Sequence, residues 1–139
     1  MFKYLKTMNT NSHPTEIQSF LSPSIDESFG AVKAGSVISV VSGEVALNYV
    51  PTTPMYYAIS SKRCEESVDV KCWRIFSGMV FEVDIEPGVD ASEFSVGTTC
   101  DALPDETGKG VYVSCGGLPR FEIIDDSKIN NGKVTVVVI

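Results

Sequence analysis

From Gly35 to the last residue, apolar and polar side chains alternate in short runs broken by Gly, Pro, Ser and Asn. A period of two is the mark of a strand with one buried face, and no other regular element fits it. Met79-Val80-Phe81-Glu82-Val83-Asp84-Ile85 shows it most clearly. A slip of one residue would turn Glu82 and Asp84 inward, so the buried face of this run is firmly specified. Val68–Phe76 lies just before it across Ser77-Gly78, and the two runs are expected to pair as a hairpin. Its core face would collect Val70, Cys72, Phe76, Met79, Phe81, Val83 and Ile85, and Lys71 would meet Asp84 on the other face. A second hairpin is expected across Ser42-Gly43, with Val40 facing Val45. Met55–Ile59 reads as a short strand after a proline-broken loop. Val111–Cys115 and Leu118–Ile124 are expected to pair across Gly116-Gly117. The β-branched end, Val134-Thr135-Val136-Val137-Val138-Ile139, must lie inside a sheet or at a subunit contact to avoid aggregating. The fold class expected is mainly β, a small antiparallel sandwich or barrel.

Residues 1–34 follow no such period. They are rich in Ser, Thr, Asn and Pro, with scattered apolar anchors at Phe2, Tyr4, Leu5, Ile17, Phe20 and Leu21. Pro14–Leu21 suits a short helix, with proline at its first position and Pro23 beyond its end. The organisation expected is an extended or partly disordered N-terminal arm over 1–34 and a compact β domain over 35–139, with the apolar anchors of the arm binding a partner. The arm is electrically neutral, Lys3, Lys6 and Lys33 balancing Glu16, Asp26 and Glu27. The formal charge of −7 therefore belongs to the body. An acidic body is a poor ligand for nucleic acid, whose affinity comes from neutralising phosphates. It suits solubility or docking on a basic protein surface. The first residues lack the apolar core of a secretory signal, and no run approaches the roughly 18 apolar residues of a membrane span. A soluble protein made in a cytoplasm, with no membrane partner, is expected.

No catalytic set emerges. The one histidine, His13, precedes a proline in the arm, which leaves no oriented base for a serine or cysteine nucleophile. Cys64, Cys72, Cys100 and Cys115 lack the close spacing that holds zinc and read as buried structural thiols. Glu82, Asp84 and Glu86 share a strand face, as the solvated side of any strand would. Asp101, Asp105 and Glu106 do not follow the order of a calcium loop, and Asp125-Asp126 reads as a turn starter. Gly108-Lys109-Gly110 is not a phosphate-binding loop. Trp73, Tyr56, Tyr57 and Phe76 suit packing, or a sugar or peptide platform. The chain is expected to be no enzyme, with no cofactor and no metal.

The stretch Ala34–Ile59, with Gly35-Ser36-Val37-Ile38 leading to Pro54-Met55-Tyr56-Tyr57-Ala58-Ile59, is similar to small β domains of tailed-phage heads. Ser77-Gly78-Met79-Val80-Phe81-Glu82-Val83 and the β-branched end share the likeness. In layout the chain resembles a capsid decoration, or cement, protein. That resemblance implies a homotrimer on the capsid exterior of the virion, assembled in the host cytoplasm. Its partner would be the major capsid protein, and its arms would reach over neighbouring subunits. A carbohydrate- or receptor-binding β domain of a phage fibre, tail or baseplate would show much the same features.

Overall fold

The alternating runs do form strands. A computed structural model of the protein describes residues 1–8, 18–21, 32–41, 44–45, 54–61, 69–103, 109–114 and 119–139, with 18–21, 41 and 44–45 described by their backbone pairing alone. In chain order the strands are β1 (Phe2–Thr7), β2 (Gln18–Leu21), β3 (Val37–Val41), β4 (Glu44–Val45), β5 (Met55–Ala58), β6 (Asp69–Arg74), β7 (Met79–Ile85), β8 (Thr99–Ala102), β9 (Gly110–Val113), β10 (Phe121–Asp125) and β11 (Lys133–Val138). The fold is mainly β, and it divides into two units. Unit 1 holds Met1–His13, Phe76–Leu103 and Lys109–Ile139; unit 2 holds Pro14–Ile75 and Pro104–Gly108.

Unit 2 is a closed barrel in the order β2-β4-β3-β5-β6. β2 and β4 pair in parallel, and the other ladders are antiparallel. Closure leaves the barrel no free edge between its first and last strands. Its core gathers Val32, Ile38, Ala58, Val70 and Cys72, each at most 1% exposed, with Tyr56 packed against them.

Unit 1 is a six-stranded sheet in the order β1-β7-β11-β10-β8-β9, and β7 also pairs with β9 in parallel. The strands β7, β11, β10, β8 and β9 therefore close on themselves, with β1 added along β7. The apolar terminal strand β11 lies between β7 and β10, as its composition demands. Phe81, Val83, Phe121, Ile123, Val134 and Val136 point inward and are buried. Burying each contributes roughly 1.5–3 kcal/mol.

The expected arm is not what residues 2–7 and 18–21 form. Phe2–Thr7 is a strand of unit 1, with Phe2 opposite Val83 and Thr7 opposite Met79. Phe2 is 2% exposed; its ring meets Phe81 edge-on at 5.8 Å and Phe121 at 5.5 Å. Gln18–Leu21 is a strand of unit 2, antiparallel to β6, rather than the end of a helix. The division expected at residue 34 thus coincides with neither unit.

The hairpin expected across Ser77-Gly78 does not form either. β6 pairs with β2 and β5, while β7 pairs with β1, β11 and β9. Ser77-Gly78 lies within unit 1 instead, past the boundary between Ile75 and Phe76. The Gly78 N–H donates to the Val138 carbonyl at 2.9 Å, and its carbonyl accepts from the Met8 N–H at 2.8 Å. Alternation had set Val70, Cys72, Met79, Phe81 and Val83 inward correctly but could not say which strand lies alongside. Asp84 accordingly meets Lys133, not Lys71. β9 and β10 do not pair with each other but both pair with β8. The smaller hairpin stands, with Val40 opposite Val45 and Val41 opposite Glu44.

Candidate functional site

The residues singled out as a core hairpin are split between the units. Val70 and Cys72 are buried in unit 2; Met79, Phe81 and Val83 are buried in unit 1; Ile85, at the strand end, is half-buried. Phe76 is not core at all. It follows the last strand of unit 2, is 46% exposed, and its N–H donates to the Met79 sulfur at 3.4 Å.

The residues singled out as partner-binding anchors also separate. Phe2 is consumed by the core. Tyr4 is half-buried, its ring edge-on to Phe81 at 5.8 Å and its hydroxyl 2.8 Å from the Thr7 hydroxyl. Leu5 faces outward at 41% exposed. Phe20 and Leu21 take part in the β2–β6 ladder opposite Val70 and Asp69, and Ile17 lies outside the described residues.

What unit 1 does present is a group of exposed apolar side chains: Leu5, Met8, Phe76 and Ile139, together with Val96 on a separate turn. The backbone bonds that link Met8 to Gly78 and Gly78 to Val138 bring Met8, Phe76 and Ile139 to one end of the unit. The sequence reading missed Met8 and Val96, and it placed Ile139 only within a terminal run expected inside a sheet or at a subunit contact. The signal available for Ile139 was parity, since Val134, Val136 and Val138 face inward and the next residue must not.

Glu82, Asp84, Asp90 and Asp125 are engaged within the unit. Glu82 accepts from Lys128 at 2.6 Å, which holds its carboxyl below the ordinary range and raises the Lys128 ammonium. Burial pushes the Asp84 carboxyl up, but Lys133 at 2.6 Å and the amino group of Met1 outweigh it, and the net shift is downward. Asp90 and Asp125 cap turns, accepting from the N–H groups of Ser92 and Ser127, and both carboxyls are lowered by those bonds. Asp101 is a buried residue of β8 rather than a loop ligand, 4% exposed, its carboxylate accepting from the Ala102 N–H. Asp105, Glu106 and His13 lie outside the described residues, as do Cys64 and Cys115. Cys72 and Cys100 are fully buried, and desolvation pushes both thiols up to about 12. A thiol so protonated is a poor nucleophile. Among the described residues no three His, Cys, Asp or Glu side chains gather as a metal site, and no helix is long and apolar enough to cross a membrane.

Unit 2 contributes an aromatic pair. Tyr57 and Trp73 face each other across β5 and β6, half-buried, with ring centroids 5.7 Å apart and planes at 31°. Comparison of the chain with family models, with curated proteins and with solved structures finds no match.

Proposed function

We propose that this chain is a structural virion protein that binds and stabilises the outer surface of a phage capsid as a homotrimer, with the major capsid protein as its partner and no catalytic role. The observation that carries the reading is the exposed apolar end of unit 1, Met8, Phe76 and Ile139 with Leu5 on β1. Apolar side chains gathered at one place on a surface are suited to contact. Glu82, Asp84, Asp90 and Asp125 of the same unit meanwhile serve its own turns and strands. Seating occurs through this end rather than through a free arm, since Phe2 belongs to the core. The test is occupancy on expanded capsids. Phe76→Ser combined with Ile139→Ser should lower occupancy at least tenfold while the circular dichroism spectrum is kept. Undiminished occupancy by the folded variant would contradict the reading.

The Tyr57–Trp73 pair favours a second reading, a carbohydrate- or receptor-binding domain of a fibre, tail or baseplate. Adjacent aromatic side chains suit sugar rings. Trp73 is the chain's single tryptophan, so quenching or a spectral shift on adding host-surface glycan would report that contact directly. An unchanged spectrum at saturating glycan would remove this reading.

A further inference from the structure

We infer that the chain is a tandem duplication: β2–β6 and β7–β11 are two copies of one five-stranded barrel, whose outward faces have since become unlike. The inference is independent of the capsid reading.

Number the strands of each copy in order, so that β2 corresponds to β7, β3 to β8, β4 to β9, β5 to β10 and β6 to β11. Both rings then run first, third, second, fourth, fifth and back to the first. In both, the first and third strands pair in parallel and every other ladder is antiparallel.

Register agrees as well as order, with each strand keeping one constant offset. Leu21 opposite Glu44 becomes Asp84 opposite Gly110. Val40 opposite Val45 becomes Ala102 opposite Val111. Ile38 opposite Tyr56 becomes Cys100 opposite Phe121. Ala58 opposite Cys72 becomes Ile123 opposite Val136, and Phe20 opposite Val70 becomes Val83 opposite Val134.

The irregular parts agree too. The Gly35 N–H donates to the Ala58 carbonyl at 2.8 Å, and the Gly97 N–H to the Ile123 carbonyl at 2.8 Å. The return bonds, Ala58 N–H to the Ser36 carbonyl and Ile123 N–H to the Thr98 carbonyl, are both 2.9 Å. The turn bonds, Ser36 N–H to the Lys33 carbonyl and Thr98 N–H to the Ser95 carbonyl, are both 3.1 Å. Gly35 and Gly97 have φ of 95° and 90°, a conformation that L side chains avoid. An extra residue interrupts the ladder between the fourth and fifth strands in each copy. The N–H groups of Ile59 and Ser60 share the Lys71 carbonyl, and the register shifts at the matching step between Ile123 and Asp125, opposite Thr135. The copies end alike, Ile75 N–H on the Met55 carbonyl and Ile139 N–H on the Arg120 carbonyl, both at 3.0 Å.

Independent arrival at a favoured barrel would explain a shared strand order. It would not explain one bulge position, one glycine turn and one terminal bond repeated in phase, since bulges and turns vary freely between unrelated sheets. Every member of the unit 2 core maps onto a buried residue of unit 1. Val32, Ile38, Ala58, Val70 and Cys72 become Phe94, Cys100, Ile123, Val134 and Val136. The half-buried positions of the fourth and fifth strands have parted company. Tyr57 and Trp73 correspond to Glu122 and Val137. The duplication has therefore produced two scaffolds that differ at these positions, an aromatic pair in unit 2 against Glu122 and Val137 in unit 1, rather than two equal binding sites.

The test exchanges the turn between copies within the full chain. K33S, A34V and S36T place the unit 1 turn in unit 2; S95K, V96A and T98S do the reverse. A control, A34G with G35A, moves the glycine one place. Both exchanges should melt within about 5 °C of the parent, and the control should melt at least 10 °C lower. An exchange as damaging as the control would overturn the inference. Native-state hydrogen exchange of the unaltered chain gives a second readout. Slowly exchanging amides at Gly35, Ala58 and Ile75 should be matched by slow ones at Gly97, Ile123 and Ile139, and a mismatch at these pairs would count against common descent.

Discussion

Units 1 and 2 close their barrels in the same order but fill them differently. Unit 1 is packed with aromatic rings, Phe2, Phe81, Phe94 and Phe121 among them, whereas the described core cluster of unit 2 is Val32, Ile38, Ala58, Val70 and Cys72 with Tyr56 flanking it. Size is traded between neighbouring positions. Where unit 1 has the large Phe94 and Ile123 with a small Cys100, unit 2 has the smaller Val32 and Ala58 with a larger Ile38. Ladders and turn bonds thus set the topology, and the core is free to vary as long as the interior stays filled. Unit 1 also recruits β1, whose Phe2 packs on two of its rings; no described residue of unit 2 has a matching role.

That contrast can be broken most sharply at Phe81. Phe81→Ala removes a ring in contact with both Phe2 and Tyr4 and should cost about 3–5 kcal/mol in chemical denaturation. A loss under 1 kcal/mol would mean that the aromatic core is not the main support of unit 1. The next test fills unit 2 in the manner of unit 1. Ala58→Ile alone should overpack the aliphatic core and cost about 1–3 kcal/mol. Adding Ile38→Cys should recover at least half of that, because the two positions share one cluster and couple. Additive losses would refute the volume trade.

Alternation made the positions of β5, β6, β7 and β11 legible, along with the inward Val70, Cys72, Met79, Phe81 and Val83 of β6 and β7. It could not reveal partners, because a strand's parity fixes its face and says nothing of the strand beside it. The Phe76/Met79 hairpin failed for that reason. β1 escaped notice for a different one: a bulge between Tyr4 and Lys6 changes parity within Phe2–Thr7, so Phe2 and Thr7 are both buried without a sustained period. The repeat was hidden because its only local signature is one glycine turn, Val32–Ser36 against Phe94–Thr98. The more visible Ser-Gly pairs at 42–43 and 77–78 precede different strands of their copies and do not correspond. The exposed Met8 and Phe76 come together through backbone bonds distant in sequence, beyond the reach of any pattern in the residues.

Among the described residues each unit carries one buried thiol, which gives a smaller but separable effect. Both thiols are pushed up to about 12, so the folded state keeps protons that the unfolded chain loses above its ordinary cysteine pKa. Their contribution is complete below about pH 8.5 and falls as the pH rises toward 12, by at most about 1.4 kcal/mol per pH unit for each thiol. Cys72→Val, which installs the counterpart residue Val136, should reduce the alkaline slope of stability, and so should Cys100→Ile, which installs that of Ile38. A slope untouched by both would show that neither thiol is buried. The smallest effect expected is at the surface pair Asp84–Lys133, whose members are 43% and 39% exposed. The Asp84 carboxyl is lowered, so the contribution is present above about pH 4 and lost as the pH falls through the folded-state value. Lys133→Ala should cost less than about 1 kcal/mol at pH 7 and close to nothing at pH 2, as read from denaturation at the two pH values.

The claim that the first strand completes unit 1 is tested most directly by removing residues 1–8 and recording the thermal melt. With Phe2 packed on Phe81 and Phe121, the shortened chain should lose 10 °C or more, a large share of the stability of a domain this size. A melt indistinguishable from that of the full chain would show that these residues hang free of the barrel.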